Sequence, residues 1–92
     1  MIFPTVHLNG TSGADLLSQT TDAMLALSDA MLALQAAAPH GRDYYVQQDY
    51  WNAFPRAQDQ HWDRIEKLKA VQADLVAISE AIHAQMTERS RK

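Results

Sequence analysis

Cysteine is absent from this sequence, and glycine and proline occur only three times each. Without cysteine the chain has no disulfide framework, no thiolate zinc site and no cysteine nucleophile. A domain of 92 residues buries only roughly 60–65% of the surface that its unfolded chain exposes. Its own core therefore provides little stability, and we expect self-association to supplement it.

Other features are missing as well. No apolar run is long enough to span a membrane, and the first residues lack the basic and hydrophobic regions of a signal peptide, which together predict a cytoplasmic protein. The formal net charge of −3 argues against broad binding to nucleic acids or anionic membranes. Motifs such as HExxH, GxSxG, GxGxxG and the Walker loop do not occur. We therefore expect no enzymatic activity and no cofactor.

The four histidines are widely separated in the sequence. None lies three or four residues from another, so a metal site would need convergence of four regions of the chain, and we expect none. His61 stands between Asp59 and Asp63 and next to Trp62. We expect it to be an exposed residue near the start of the second helix described below.

A first helix is predicted over residues 13–38. Ser12, followed by Asp15 three residues later, is typical of an N-cap with a capping-box partner. The helix contains a direct heptad repeat, in which DAMLALS from Asp22 is followed by DAMLALQ from Asp29 with six of seven positions identical. Because five positions of each heptad are apolar, this helix needs cover on more than one side. We expect a second chain to pack on it, at a stripe of small residues: Ala23, Ala26, Ala30, Ala33 and Ala37.

The connection after this helix has an unusual composition. Pro39 disfavours helical geometry at Ala38, so the first helix is expected to end there. The predicted connection, residues 39–51, exceeds the usual helix–helix loop of about 2–8 residues. It holds all three tyrosines of the chain and one of the two tryptophans. Two interpretations stay open, namely a binding surface and an aromatic cluster that covers the end of the helices.

A second helix is predicted over 52–88, with Asn52 as its N-cap and Pro55 in its first turn. Its apolar residues form one stripe at three- to four-residue spacing, so it covers one side of the first helix. Residues 1–11 form a short N-terminal extension. The predicted fold is a single all-α domain of residues 1–92, an antiparallel helical hairpin that oligomerises through its first helix.

Two segments carry candidate ligand-binding residues. One lies at the start of the first helix, where free backbone N–H groups suit a phosphate or carboxylate; the alternative is a turn and cap that bind only their own backbone. In the connection, Arg42 is suited to phosphate, and the tyrosines beside it are suited to stacking on rings. The candidate residues are His7, Asn9, Gly10, Thr11, Ser12, His40, Arg42, Tyr44 and Tyr45. About 39 Å of helix separates the segments, so we expect them to meet only between chains, in an antiparallel pair or a higher assembly.

The segments VHLNGTS (6–12) and APHGRDYY (38–45), joined by a helix rich in alanine and leucine, resemble a group of small helical proteins encoded by phages and prophages. The resemblance extends over nearly the whole chain. It implies an oligomeric accessory protein. Such proteins often act as inhibitors, some by sequestering nucleotide signals of bacterial immunity and others by docking on a host protein.

The leading expectation is therefore a non-enzymatic protein with an anti-defence role in the host cytoplasm. It would bind and sequester a small nucleotide-like or phosphorylated ligand at pockets between subunits. One alternative is an interaction module that inhibits or adapts a host protein through the aromatic residues of the connection. Another is a small virion or packaging component.

Overall fold

Two helices form an antiparallel hairpin in the computed structural model, which describes residues 1–90. They are α1 (Gly13–Ala36) and α2 (Tyr50–Ser90), and they pack against each other along α1. The connection contains one short 3₁₀ turn, Gly41–Asp43. The described residues contain no strand, so the predicted all-α hairpin of two packed helices is confirmed. Neither helix of this part of the chain is long and apolar enough to cross a membrane.

The N-cap of α1 is the predicted one. Ser12 has extended backbone angles, and its Oγ accepts a hydrogen bond from the backbone N–H of Asp15 at 3.1 Å. This bond satisfies one of the backbone donors that have no partner within the helix.

We expect Ser12→Ala to lower the free energy of unfolding by about 1 kcal/mol, because the N–H of Asp15 loses its acceptor. Ser18→Ala is the matched control, since Ser18 is exposed inside α1 and alanine is favoured there. Urea unfolding at a fixed protein concentration measures both variants. Equal stability of the two variants would contradict a role for Ser12 in capping.

The helix ends at the connection differ from the predicted ones. α1 ends at Ala36, two residues early, and α2 begins at Tyr50 rather than at Asn52. Asn52 is therefore not the N-cap; it lies in the first turn, where its side-chain amide donates to Asp49 Oδ1 at 2.9 Å. Pro55 in turn falls beyond the first turn, where its lack of an N–H leaves the carbonyl four residues earlier without a helical donor.

Gln72 sets the register between the helices. Its Nε2 donates to the carbonyl oxygen of Met24 at 3.2 Å and to Ser28 Oγ at 3.1 Å. Measured along the axis of α2, Phe54 lies about 27 Å from Gln72. From the level of Gln72, α1 continues only about 15 Å in the same direction before it ends at Ala36. The start of α2 therefore extends about 12 Å past the end of α1, and the connection packs on this overhang.

The N-terminal extension lies along the other end of α2. Gln85 Oε1 accepts from the backbone N–H of Val6 at 2.8 Å, and Gln85 Nε2 donates to the carbonyl oxygen of Pro4 at 2.9 Å. Arg89 Nη1 donates to the carbonyl oxygen of Val6 at 3.2 Å. One side-chain amide thus holds the extended backbone by both of its polar groups, in the way that a neighbouring strand would.

The hairpin buries few side chains for its size. Ile65 and Ile82 are the only fully buried hydrophobic residues of 1–90. The radius of gyration is 19.8 Å, whereas a compact domain of this length has about 12 Å. The accessible surface is 6886 Å², against about 5,400 Å² for a compact monomer of this mass. The molecule, 67 Å long and 20 Å wide, therefore leaves the outward sides of its helices uncovered.

Candidate functional site

The candidate residues of the N-terminal segment are all exposed. The backbone N–H of Gly10 donates to the carbonyl oxygen of His7 at 3.2 Å, which closes a turn. The imidazole of His7 lies over Gly10, 2.7 Å from the place that a Cβ atom would take, so a larger residue there would displace the ring. Ser12 is committed to its cap, whereas the side chains of His7, Asn9 and Thr11 are exposed polar groups.

In the connection, His40 is a cap for the 3₁₀ turn. Its Nδ1 accepts from the backbone N–H of Arg42 at 3.1 Å. The ring of His40 therefore faces its own backbone, and it fixes the direction of the chain that carries Arg42. The side chain of Arg42 is exposed, so its guanidinium is available to an anion.

The two candidate tyrosines have different environments. Tyr44 is half-buried and stacks on Phe54, with ring centroids 5.7 Å apart, and Tyr50 stacks on Phe54 as well, at 5.8 Å. Trp51 packs edge-on against Tyr50 at 5.2 Å and is 85% exposed. Tyr45 is 66% exposed. Tyr44 therefore belongs to an aromatic cluster that covers the overhang of α2, whereas Tyr45 and Trp51 present ring faces to the surroundings.

One chain does not bring the two candidate segments together. The N-terminal segment lies at the start of α1, and the connection lies at its other end, about 36 Å away along the helix axis. The polar groups of Asn9 and Thr11 and the guanidinium of Arg42 therefore belong to opposite ends of the hairpin.

A buried histidine was not expected from the sequence. His61 is only 6% exposed, so the expectation of an exposed side chain is wrong. The reason is that His61 lies inside α2, one turn before the buried Ile65 and on the same face. That four-residue spacing from Ile65 was the available signal, but the adjacent aspartates suggested a solvated position.

The imidazole of His61 is incompletely satisfied. Its Nε2 is buried and has no hydrogen-bond partner within residues 1–90. A buried polar atom without a partner costs about 1–3 kcal/mol. His61 borders a cavity of about 110 Å³ between the end of α1 and the first half of α2. The cavity is lined by Gln35, Ala38, Pro39, Gln58, His61, Trp62 and Ile65.

The ion pairs between side chains of residues 1–90 are simple surface pairs. Lys67 Nζ lies 2.9 Å from Asp63 Oδ2, and Lys69 Nζ lies 3.3 Å from Glu66 Oε1, all on exposed turns of α2. Such pairs contribute little to stability. Within residues 1–90, no group of three or more histidine or acidic side chains is arranged to hold a metal ion.

The chain is thus a two-helix hairpin with a polar N-terminal turn at one end and an aromatic cluster beside a histidine cavity at the other. Comparison with protein-family models, with curated proteins and with solved structures finds no match. Its function is therefore inferred from its own residues.

Proposed function

We propose that this chain is a non-enzymatic accessory protein of the phage type that it resembles. It forms a homo-oligomer through α1, and it sequesters a small nucleotide-like or phosphorylated ligand at pockets between subunits in the host cytoplasm. The observation that carries the proposal is the uncovered apolar side of α1, which lies between the two segments that hold the candidate ligand-binding residues.

The outward side of α1 carries exposed apolar side chains, with the carboxylates of Asp22 and Asp29 among them. Leu25 and Leu32 are 62% and 66% exposed, and Ala26, Ala30 and Ala33 are exposed as well. The surface in excess of a compact monomer is about 1,500 Å², and a standard interface takes about 800 Å² from each partner. The heptad repeat displays the same side chains twice, so an antiparallel second copy can pair each surface with its equivalent.

The register of such a pair supports a composite site. Suppose that Leu25 of one chain lies level with Leu32 of an antiparallel copy. Gly13 of the first chain then lies level with a point beyond the end of α1 in the copy, eight residues after Ala36. This point is about 12 Å past the end of α1, which is the level of Phe54 in the overhang of α2. The N-terminal segment of one chain would then lie beside the connection of the other.

The side chains at that meeting point suit a phosphorylated ring. Arg42 pairs with phosphate by two parallel hydrogen bonds. Tyr45 offers an exposed ring for stacking. Asn9 and Thr11 of the other chain add an amide and a hydroxyl beside the free backbone N–H groups of α1. Together these groups recognise the charge and the ring of the ligand.

A mixing experiment tests the composite site. We expect the Arg42→Ala variant and the Asn9→Ala/Thr11→Val variant each to lose binding, since either change removes half of every site. Co-refolding equal amounts of the two variants should restore about a quarter of the sites, because about half of the dimers are mixed and each mixed dimer contains one site with both halves intact. Isothermal titration calorimetry, with the ligand that native mass spectrometry identifies as described below, measures the number of intact sites.

The matched control is a mixture of wild-type chains with the Arg42→Ala/Asn9→Ala/Thr11→Val variant, in which no mixed dimer carries an intact site. No recovery of binding in the first mixture would contradict a site shared between chains.

Native mass spectrometry tests the ligand class. We expect the purified oligomer to gain an adduct of a few hundred daltons per site after incubation with a nucleotide-rich bacterial extract, and to lose it with Arg42→Ala. An oligomer that gains no adduct would contradict sequestration of a small molecule.

A second candidate function is supported by the exposed residues of the connection. Val46 and Trp51 are 75% and 85% exposed and lie near Tyr45 in the chain, and tryptophan and tyrosine dominate the binding energy of many protein interfaces. This surface would suit a host protein that the chain inhibits or adapts. Loss of a captured host protein with Trp51→Ala, together with the absence of a small-molecule adduct, would favour this function.

A further inference from the structure

The cavity at His61 lies outside the residues that carry the proposed composite site. It opens at the end of α1, beside Pro39, and so belongs to the same end of the hairpin as His40 and Arg42. We propose that this cavity is the subsite for the planar heterocyclic ring of the ligand, that is, its nucleobase. The proposal rests on the proposed function and specifies which part of the ligand binds where.

The imidazole of His61 is buried and, among the described residues, lacks a hydrogen-bond partner at one nitrogen. His61 is 6% exposed, and its Nε2 has no hydrogen-bond partner in the described part of the chain. Buried polar atoms of native proteins are almost always paired with protein, water or ligand. Because Nε2 is itself buried, a heterocycle in the cavity reaches it once the imidazole turns toward the cavity, and ring nitrogens and exocyclic groups then offer both donors and acceptors.

The lining of the cavity includes neutral polar side chains. Gln35 and Gln58 are lining residues of the cavity, and the carboxamide of each has donor and acceptor groups. No charged side chain belongs to the lining residues. The cavity is therefore built for a neutral polar ring rather than for the phosphate, which is left to Arg42.

The size of the cavity suits a planar ring. The cavity has a volume of about 110 Å³, and an engineered cavity of about 150 Å³ takes up benzene, so the space suits one planar ring that remains partly open to the outside. Ile65 and Pro39 provide apolar walls. Trp62 borders the cavity and is 57% exposed, so its indole can stack on a ring.

The experiment titrates the oligomer with AMP, GMP, CMP, UMP and ribose 5-phosphate. Trp51→Phe removes the other tryptophan, so that Trp62 is the only fluorescent indole. We expect at least one nucleoside monophosphate to bind more tightly than ribose 5-phosphate and to quench Trp62, and ribose 5-phosphate to leave the fluorescence unchanged.

Two substitutions in the cavity and one outside it complete the test. His61→Leu and Gln58→Leu keep the volume of the lining but remove its polar groups, and each should weaken nucleotide binding at least about tenfold. His83→Leu replaces an exposed histidine of the same helix and should leave the affinity unchanged. Circular dichroism and the oligomeric mass verify that each variant folds and assembles as the parent does.

The outcomes separate this inference from the proposed function. Tight nucleotide binding that is unaffected by both cavity substitutions and does not quench Trp62 overturns the ring subsite but leaves sequestration standing. Equal affinity for ribose 5-phosphate and all four nucleotides does the same, since the cavity would then hold only water. If none of the five compounds binds, the ring subsite and the proposed sequestration of nucleotides both fail.

Discussion

Replacing Leu25 and Leu32 by glutamate is expected to convert the proposed oligomer into a monomer of 10.3 kDa. Both leucines are more than half exposed in the single chain, so the substitutions remove little of the packing that holds the hairpin together. In the oligomer, each buried leucine would contribute about 1.5–3 kcal/mol. A glutamate at the same place would bury an unpaired carboxylate, which is strongly unfavourable.

Sedimentation equilibrium measures this change directly. The matched control is Ala70→Glu/Ala73→Glu, which adds the same two charges at exposed positions of α2 and should keep the parental mass. An oligomer that survives both glutamates on α1 would show that this side of the helix is not the interface. Since the composite site needs two chains, the monomer should also lose the ligand adduct.

Ile82→Ala is expected to lower the free energy of unfolding by about 2–5 kcal/mol. Ile82 is 0% exposed and is one of only two fully buried hydrophobic residues of 1–90. The change therefore removes a large part of a small core, and a typical domain has only about 5–15 kcal/mol in total.

The control for this substitution is Ile2→Ala, which deletes the same atoms at a side chain that is 95% exposed and should change stability by less than about 0.5 kcal/mol. Urea unfolding at one protein concentration compares the variants, because the proposed self-association would make stability depend on concentration. Similar losses in the two variants would contradict the assignment of Ile82 to the core.

The helices themselves were predictable because their signals are local. The cap at Ser12 needs only the hydroxyl and the N–H three residues later, and the all-α hairpin follows from the apolar spacing on both sides of Pro39. The start of α2 was less predictable. Asn52 has the right chemistry for a cap, but the stacking of Tyr50 on Phe54 favours a helix that includes both, and stacking of this kind is not visible in capping preferences.

The candidate site shows the same division. The sequence was sufficient to select exposed residues with suitable chemistry, such as Arg42 and Tyr45. It did not reveal that Tyr44 would stack on Phe54, nor that Gln85 would form hydrogen bonds with the N-terminal extension. Each of these contacts joins residues that are distant in the chain.

Capping chemistry and apolar periodicity are properties of short stretches of chain. By themselves they determined the presence of two helices, the order of these helices and the excess of apolar surface on the first one. Only the tertiary structure decided that His61 is buried beside a cavity while Trp62 is half exposed. The reason is that neighbouring residues of a helix point in directions about 100° apart, so burial depends on the register between α1 and α2. Gln72 sets that register through contacts with Met24 and Ser28, more than forty residues away in the chain.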